Sequence, residues 1–193
     1  MEFEKKLNEM YQEIANKISD MIPVEWDEVY TKAYIKEESK EVFFYYTLPG
    51  SEELHYYTAI PKEHNVSKKI FKELLDELYE NFERLKKLFI ENNQEPWTSC
   101  EFDFTKEGKL NVSFDYIDWK NSEFGPLARE YYYEYKKFGM IPELDYAKEE
   151  IQEIMSAEEI SIELDLHQGN YEGQAWGCDL SYDYVKINAL YTT

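Results

Sequence analysis

Four carboxylates, Glu101, Asp103, Asp115 and Asp118, crowd into the segment EPWTSCEFDFTKEGKLNVSFDYIDW, with Trp97, Tyr116 and Trp119 among them. Two acids held at a fixed separation are enough for glycoside hydrolysis, one protonating the leaving group while the other acts as base or nucleophile. A chain with 41 Asp and Glu offers many accidental pairs, however, so the pairing alone carries little weight. The sequence has no Gly-rich phosphate loop, no G-x-S-x-G elbow, no H-E-x-x-H and no C-x-x-C. His55, His64 and His167 stand apart, without a second His or Cys at ligand spacing, so neither a metal nor another cofactor is expected. The chemistry left is that of contact. Carboxylates supply charge, and Trp and Tyr supply large rings with a polar end that tolerates water.

The elements that position these groups follow from periodicity. Cys100, Phe102 and Phe104 alternate with Glu101 and Asp103, and Leu110, Val112, Phe114 and Tyr116 alternate with Asn111, Ser113 and Asp115, which predicts a β-hairpin with one core face and one solvent face. Gly108, in the connection at residues 105–109, can take the positive φ that closing such a hairpin requires. The solvent face is expected to carry Glu101, Asp103 and Asp115, with Asp118 and Trp119 just beyond the second strand.

Upstream, Phe3, Leu7, Met10, Tyr11, Ile14, Ile18 and Met21 recur at helical spacing ahead of Pro23, predicting a helix over residues 2–21. Residues 26–35, 41–47 and 53–60 read as three strands of an antiparallel meander. A long helix is expected after Ser67, a suitable N-cap, with Ile70, Phe71, Leu74, Leu75, Leu78, Phe82, Leu85, Leu88 and Phe89 on its apolar face. Residues 126–138 read as a helix stopped by Gly139, and Pro142 opens another through Ile151, Ile154 and Met155. From Ile160 onward Ile160, Ile162, Leu164 and Leu166 alternate strictly, and residues 180–191 read as a further strand. The expected fold class is α+β: an antiparallel sheet, meander plus hairpin, packed by helices on one side, with a small β-rich C-terminal tail. The expected division is a domain over residues 1–158 and an appended tail over residues 159–193.

Composition narrows the partner. With 193 residues and a formal charge of −20, the chain is long enough for one domain with an appendage and is a poor ligand for nucleic acid or an anionic membrane. A basic protein is the natural complement, and 18 Tyr speak against a disordered acidic chain. Cys100 and Cys178 lie in unlike contexts and are expected to be reduced thiols. The N-terminus MEFEKKLNEMYQEIANKI has no apolar signal core and no run reaches membrane-spanning length, so a cytoplasmic location is expected.

The strings IANKISDMIPVEWDEVYTKAYI, EVFFYYTLPGS, LHYYTAIPKEHNVS, EPWTSCEFDFTKEGKLNVSFDYIDWKNSEFG and YYYEYKKFGMIPE together resemble the YezG/EsaG family of immunity proteins from Gram-positive bacteria, over residues 1–155. That resemblance implies a cytoplasmic antitoxin, not an enzyme, that binds the nuclease domain of a toxin exported by the type VII secretion system. The tail ISIELDLHQGNYEGQAWGCDLSYDYVKINALYTT is instead similar to the end of the ArgJ glutamate N-acetyltransferases, on its W-G-C-D-L-x-Y-D-Y-V-x-I-N-A string. There the resemblance implies substrate-binding positions at Asn188 and Thr193, while the nucleophilic Thr of those enzymes lies in a body that this chain lacks. The expected function is thus an inhibitor that contacts a basic nuclease toxin through Glu101, Asp103, Asp115, Asp118 and Trp119, with Trp97 and Tyr116 shared between core and interface. No small-molecule substrate is expected. The alternatives are a remnant of the acetyltransferase and an acidic chaperone for a secreted cargo.

Overall fold

Apolar residues at helical spacing do what the sequence predicts at the N-terminus: α1 (Glu2–Met21) buries Met10, Ile14, Ile18 and Met21 on a single stripe. The computed structural model describes residues 2–36, 39–119 and 125–141. After α1 come β1 (Glu28–Ile35), β2 (Lys40–Thr47), the short β3 (Leu54–Tyr56), a 3-10 turn (Tyr57–Ala59) running into the single helical turn α2 (Ile60–Glu63), and then α3 (Lys68–Glu91). β4 (Ser99–Thr105), β5 (Leu110–Asp115) and α4 (Pro126–Phe138) complete the described chain. The Ser67 hydroxyl accepts a hydrogen bond from the Ile70 amide and so caps α3, as its residue type suggests. Gly139, at φ 69° and ψ 17°, ends α4 in the left-handed region that a side chain would disfavour.

The third strand is shorter than expected. It stops at Tyr56, where the chain enters the 3-10 turn leading into α2, and Pro61 sits in the first turn of that helix, where no amide is needed. The predicted helix from Pro142 and the β-rich tail, with His167, Cys178, Asn188 and Thr193, lie outside the described residues.

The strands form one five-stranded antiparallel sheet in the order β3-β2-β1-β4-β5. β1 is its centre: it pairs with β2 on one edge and with β4 on the other, joining the meander to the hairpin. On one face Val29, Ala33, Ile35, Val42, Phe44, Tyr46, Cys100, Phe102 and Phe104 pack into the main core with the stripes of α1 and α3. Helices on one side describes this face only. On the other, Tyr34, Phe43 and Tyr45 pack with Trp119 and with Tyr133 of α4, so the sheet has a helix on each side.

That second layer arises because β2 is apolar or aromatic on both faces and β1 sets Tyr30 and Tyr34 on either side of Lys32 on the outer face. Six of eight residues in each strand are buried, a pattern that a half-solvated strand would not show. Phe82 of α3 is fully buried and meets Phe102 edge to face at 6.3 Å, pinning α3 to the middle of β4. Phe82→Ala is expected to cost about 3–5 kcal/mol of stability. A urea titration checks it: the midpoint falls while the slope stays that of the unsubstituted chain.

Candidate protein-binding surface

The polar face of β4 points not into solvent but under α4, while Asn111 and Ser113 on the same face of β5 stay exposed. Register places Lys32 of β1 opposite Glu101 and Tyr30 opposite Asp103. The Lys32 ammonium lies 3.2 Å from Glu101 Oε1, and Lys137 of α4 reaches down to Asp103 Oδ2 at 2.5 Å and Glu101 Oε2 at 3.5 Å. Only 7% of the Lys32 side chain and 15% of that of Asp103 meet solvent. Aromatic rings wall the cluster: Lys32 lies over Tyr34 and Tyr133, and Lys137 over Tyr30 at 5.6 Å from its centroid. Burial raises the Asp103 carboxyl above its ordinary range, and the Lys137 ammonium opposes that shift. Burial and then the Glu28 carboxylate push the Tyr30 hydroxyl up to about 12.

The expectation of a solvent face at Glu101 and Asp103 is therefore corrected for Asp103, and Glu101 is only half exposed. The physical reason is that two carboxylates side by side under a helix require two cations, and Lys32 and Lys137 supply them. Other polar bonds extend the tether. The largely buried Arg129 forms an ion pair with Glu41 of β2, the Tyr34 hydroxyl reaches the Arg129 carbonyl at 3.4 Å, and the Tyr45 hydroxyl donates to Glu134. Burial followed by Glu134 raises the Tyr45 hydroxyl, and burial raises the Glu134 carboxyl.

The two tryptophans are interior. Trp97 is fully buried against Phe114, with the Lys86 ammonium 5.7 Å from its ring, and Trp119 packs edge-on against Tyr34 at 5.6 Å. Asp115 is half buried and shapes the chain: its Oδ1 accepts from the Ile117 amide at 2.8 Å, an Asx turn, while its carbonyl takes the Thr98 amide and hydroxyl. That turn carries Tyr116 and Ile117 outward, each 47% exposed, with Asp118 exposed beside them. Of the seven residues expected at the toxin contact, Tyr116 and Asp118 are exposed.

Sequence reading missed Lys32, Lys137, Arg129 and Glu41. The available signal was the near-continuous run VFFYYT in β2, whose outward rings needed a cover carrying its own charges. Burial also raises the Cys100 thiol, and the cysteine is free. His64 bonds to the Tyr46 hydroxyl at 3.1 Å and His55 stacks on the same ring. Among the described residues no cluster of three or more His, Cys, Asp or Glu is arranged to hold a metal, and no helix is long and apolar enough to cross a membrane. Charge is unevenly spread: residues 142–193 hold twelve Asp and Glu against two Lys, so half of the net −20 belongs to sequence beyond the described residues.

A family model described as immunity protein YezG-like matches residues 7–152, and an ArgJ family model matches residues 133–193. The chain is 60% identical over 154 residues to the type VII secretion system protein EsaG of Staphylococcus aureus, which covers 80% of this chain and 94% of that protein. It is 36% identical over 157 residues to the immunity protein YezG of Bacillus spizizenii, covering 81% and 98% respectively. The third likeness is confined to one end: 94% identity over 48 residues to the arginine biosynthesis bifunctional protein ArgJ of Staphylococcus epidermidis, 25% of this chain but only 12% of that protein.

The charge cluster under α4 makes a direct test. Lys137→Met strands Asp103 beside Glu101, and the expected loss of stability is roughly 3 kcal/mol at neutral pH, the low end for breaking a buried pair. The sign follows from the raised Asp103 carboxyl. Its ionised form is penalised in the folded state, so the loss is complete above the folded pKa and shrinks as pH falls toward the ordinary carboxylate value of about 4. Urea titrations of both proteins over that range check the convergence.

Proposed function

The chain belongs to the YezG-like immunity protein family, and on that premise we propose that it is a cytoplasmic antitoxin that binds a nuclease toxin of a type VII secretion system and holds it inactive. The observation that carries this reading is the 60% identity to EsaG, which spans nearly all of that protein rather than one motif. The relatives are named for immunity and secretion, not for catalysis.

Contact through residues 116–118 is the reading that best fits the hairpin. Tyr116 and Ile117 supply exposed apolar area at the end of β5, and Asp118 adds charge. Glu101, Asp103, Trp97 and Trp119 hold the hairpin and α4 in place behind them, and Asp115 fixes the turn. The net negative charge steers the chain toward the basic face with which a nuclease holds DNA, setting the rate of encounter more than the lifetime of the complex. The segment similar to ArgJ is an appended passenger, since the 12% of the enzyme it matches does not amount to an acetyltransferase, and Asn188 and Thr193 have no role in immunity.

A pull-down with the full chain from its host, followed by plasmid-DNA cleavage by the captured toxin with and without added chain, tests partner and activity together. Suppression at an equimolar ratio is expected. Binding that leaves cleavage intact would instead mark an acidic chaperone. Tyr116→Ala is expected to weaken the complex by about 2 kcal/mol, roughly thirtyfold in Kd. Asp118→Lys is expected to slow association at low salt and leave dissociation nearly unchanged, as measured by stopped flow. Removal of residues 159–193 is expected to leave inhibition intact, and a loss of inhibition would show that the tail takes part.

A further inference from the structure

β5 is the last strand of the sheet, and among the described residues nothing pairs with its outer edge. The Thr105 amide donates to the Lys109 carbonyl at 2.9 Å, and the register continues without a bulge through Asp103 opposite Asn111 and Glu101 opposite Ser113. Antiparallel pairs alternate between bonded and non-bonded positions. Asn111, Ser113 and Asp115 therefore turn their backbone groups toward β4, and Leu110, Val112 and Phe114 turn theirs outward. Between Leu110 and Phe114 the edge has no Pro, bulge or charge to blunt it.

We propose that this edge is occupied by a second copy of the chain, β5 against β5, antiparallel about a two-fold axis at Val112. A two-fold contact must be self-complementary, and here the charges select the register. With Val112 opposite its own copy, Leu110 faces Phe114, Asn111 faces Ser113, and Lys109 faces Asp115, each pairing occurring twice. Sliding the copies one step toward the turn would set Glu107 against Asp115, and sliding them the other way would leave Lys109 opposite Ile117. Only the central register pairs opposite charges directly across the strands, where such pairs count most. The outward amides and carbonyls of three residues on each copy are satisfied, and two five-stranded sheets become one. A contact of one short strand lies below the area of permanent interfaces, so the dimer forms and dissociates with concentration. Residues 116–118 lie just past the paired stretch.

The full chain, studied by sedimentation velocity across the micromolar range, is expected to shift from monomer to dimer. In parallel, the amides of Leu110, Val112 and Phe114 gain protection from hydrogen exchange as concentration rises, while those of Asn111 and Ser113 are protected throughout. Lys109→Glu is expected to weaken dimerisation about tenfold, because like charges then meet twice across the axis. Asp115→Lys weakens it likewise, and mixing the two variants restores it, since both cross-strand pairs in the heterodimer are again opposite in charge. Val112→Pro removes an outward amide that β4 does not use, so it is expected to leave the circular dichroism unchanged and abolish the dimer. A monomer at every concentration overturns the proposal, as does a dimer indifferent to all three substitutions. Full protection of the Val112 amide in the dilute monomer also overturns it, because another part of the same chain then holds the edge.

Discussion

A lysine in the middle of a central strand must be answered by a carboxylate, and much of this fold follows from how Lys32 is answered. β1 is paired on both edges and covered on both faces, so the Lys32 ammonium has little access to water. Glu101, directly across the ladder, neutralises it, but Asp103 two residues away on the same face adds a second buried negative charge. Lys137 closes the sum from α4. Such a cluster adds little net stability compared with apolar residues of the same size. What it adds is selectivity: α4 can cover the sheet in the position that brings its last-turn lysine over two acids and its Arg129 onto Glu41, and a helix displaced by one turn would leave several buried charges unanswered.

Rings complete that logic. Tyr30, Tyr34 and Tyr45 bring hydrogen-bonded hydroxyls to the layer while they and Tyr133 fill it with aromatic area, so the layer is both apolar and wired with polar contacts. The high tyrosine content looks from composition like a stock of interface anchors. In the structure many of those rings hold α4 to the sheet.

The main core was legible in the sequence because its rule is simple. A helical stripe on α1, another on α3 and an alternating set in β4 each announce one buried face, and Ser67 and Gly139 mark helix ends by residue type. The second layer was harder to read for a physical reason: alternation in β4 assigns Glu101 and Asp103 to the polar face, and polar usually means solvated. The counter-evidence lay in neighbouring strands, where β2 runs aromatic on both faces, and in pairings between β1 and β4 that no local pattern reveals. Trp119 was misplaced for the same reason, since proximity to acids in sequence is not exposure in space, and Trp97, expected to be shared between core and interface, lies wholly in the core.

With the inner strands of the sheet spent on internal packing, backbone groups remain open to a partner at its two edges among the described residues. One edge, β3, is three residues long and turns at once into helix, so it offers little backbone. The other, β5, is longer and evenly registered, and its end carries the turn that lifts Tyr116 and Ile117 into solvent. The proposed backbone and side-chain contacts therefore fall on adjacent parts of one hairpin. The hairpin can present both because Lys32, Glu101, Asp103 and Lys137 hold its inner strand rigidly from behind, which lowers the ordering cost of any complex formed at its outer strand.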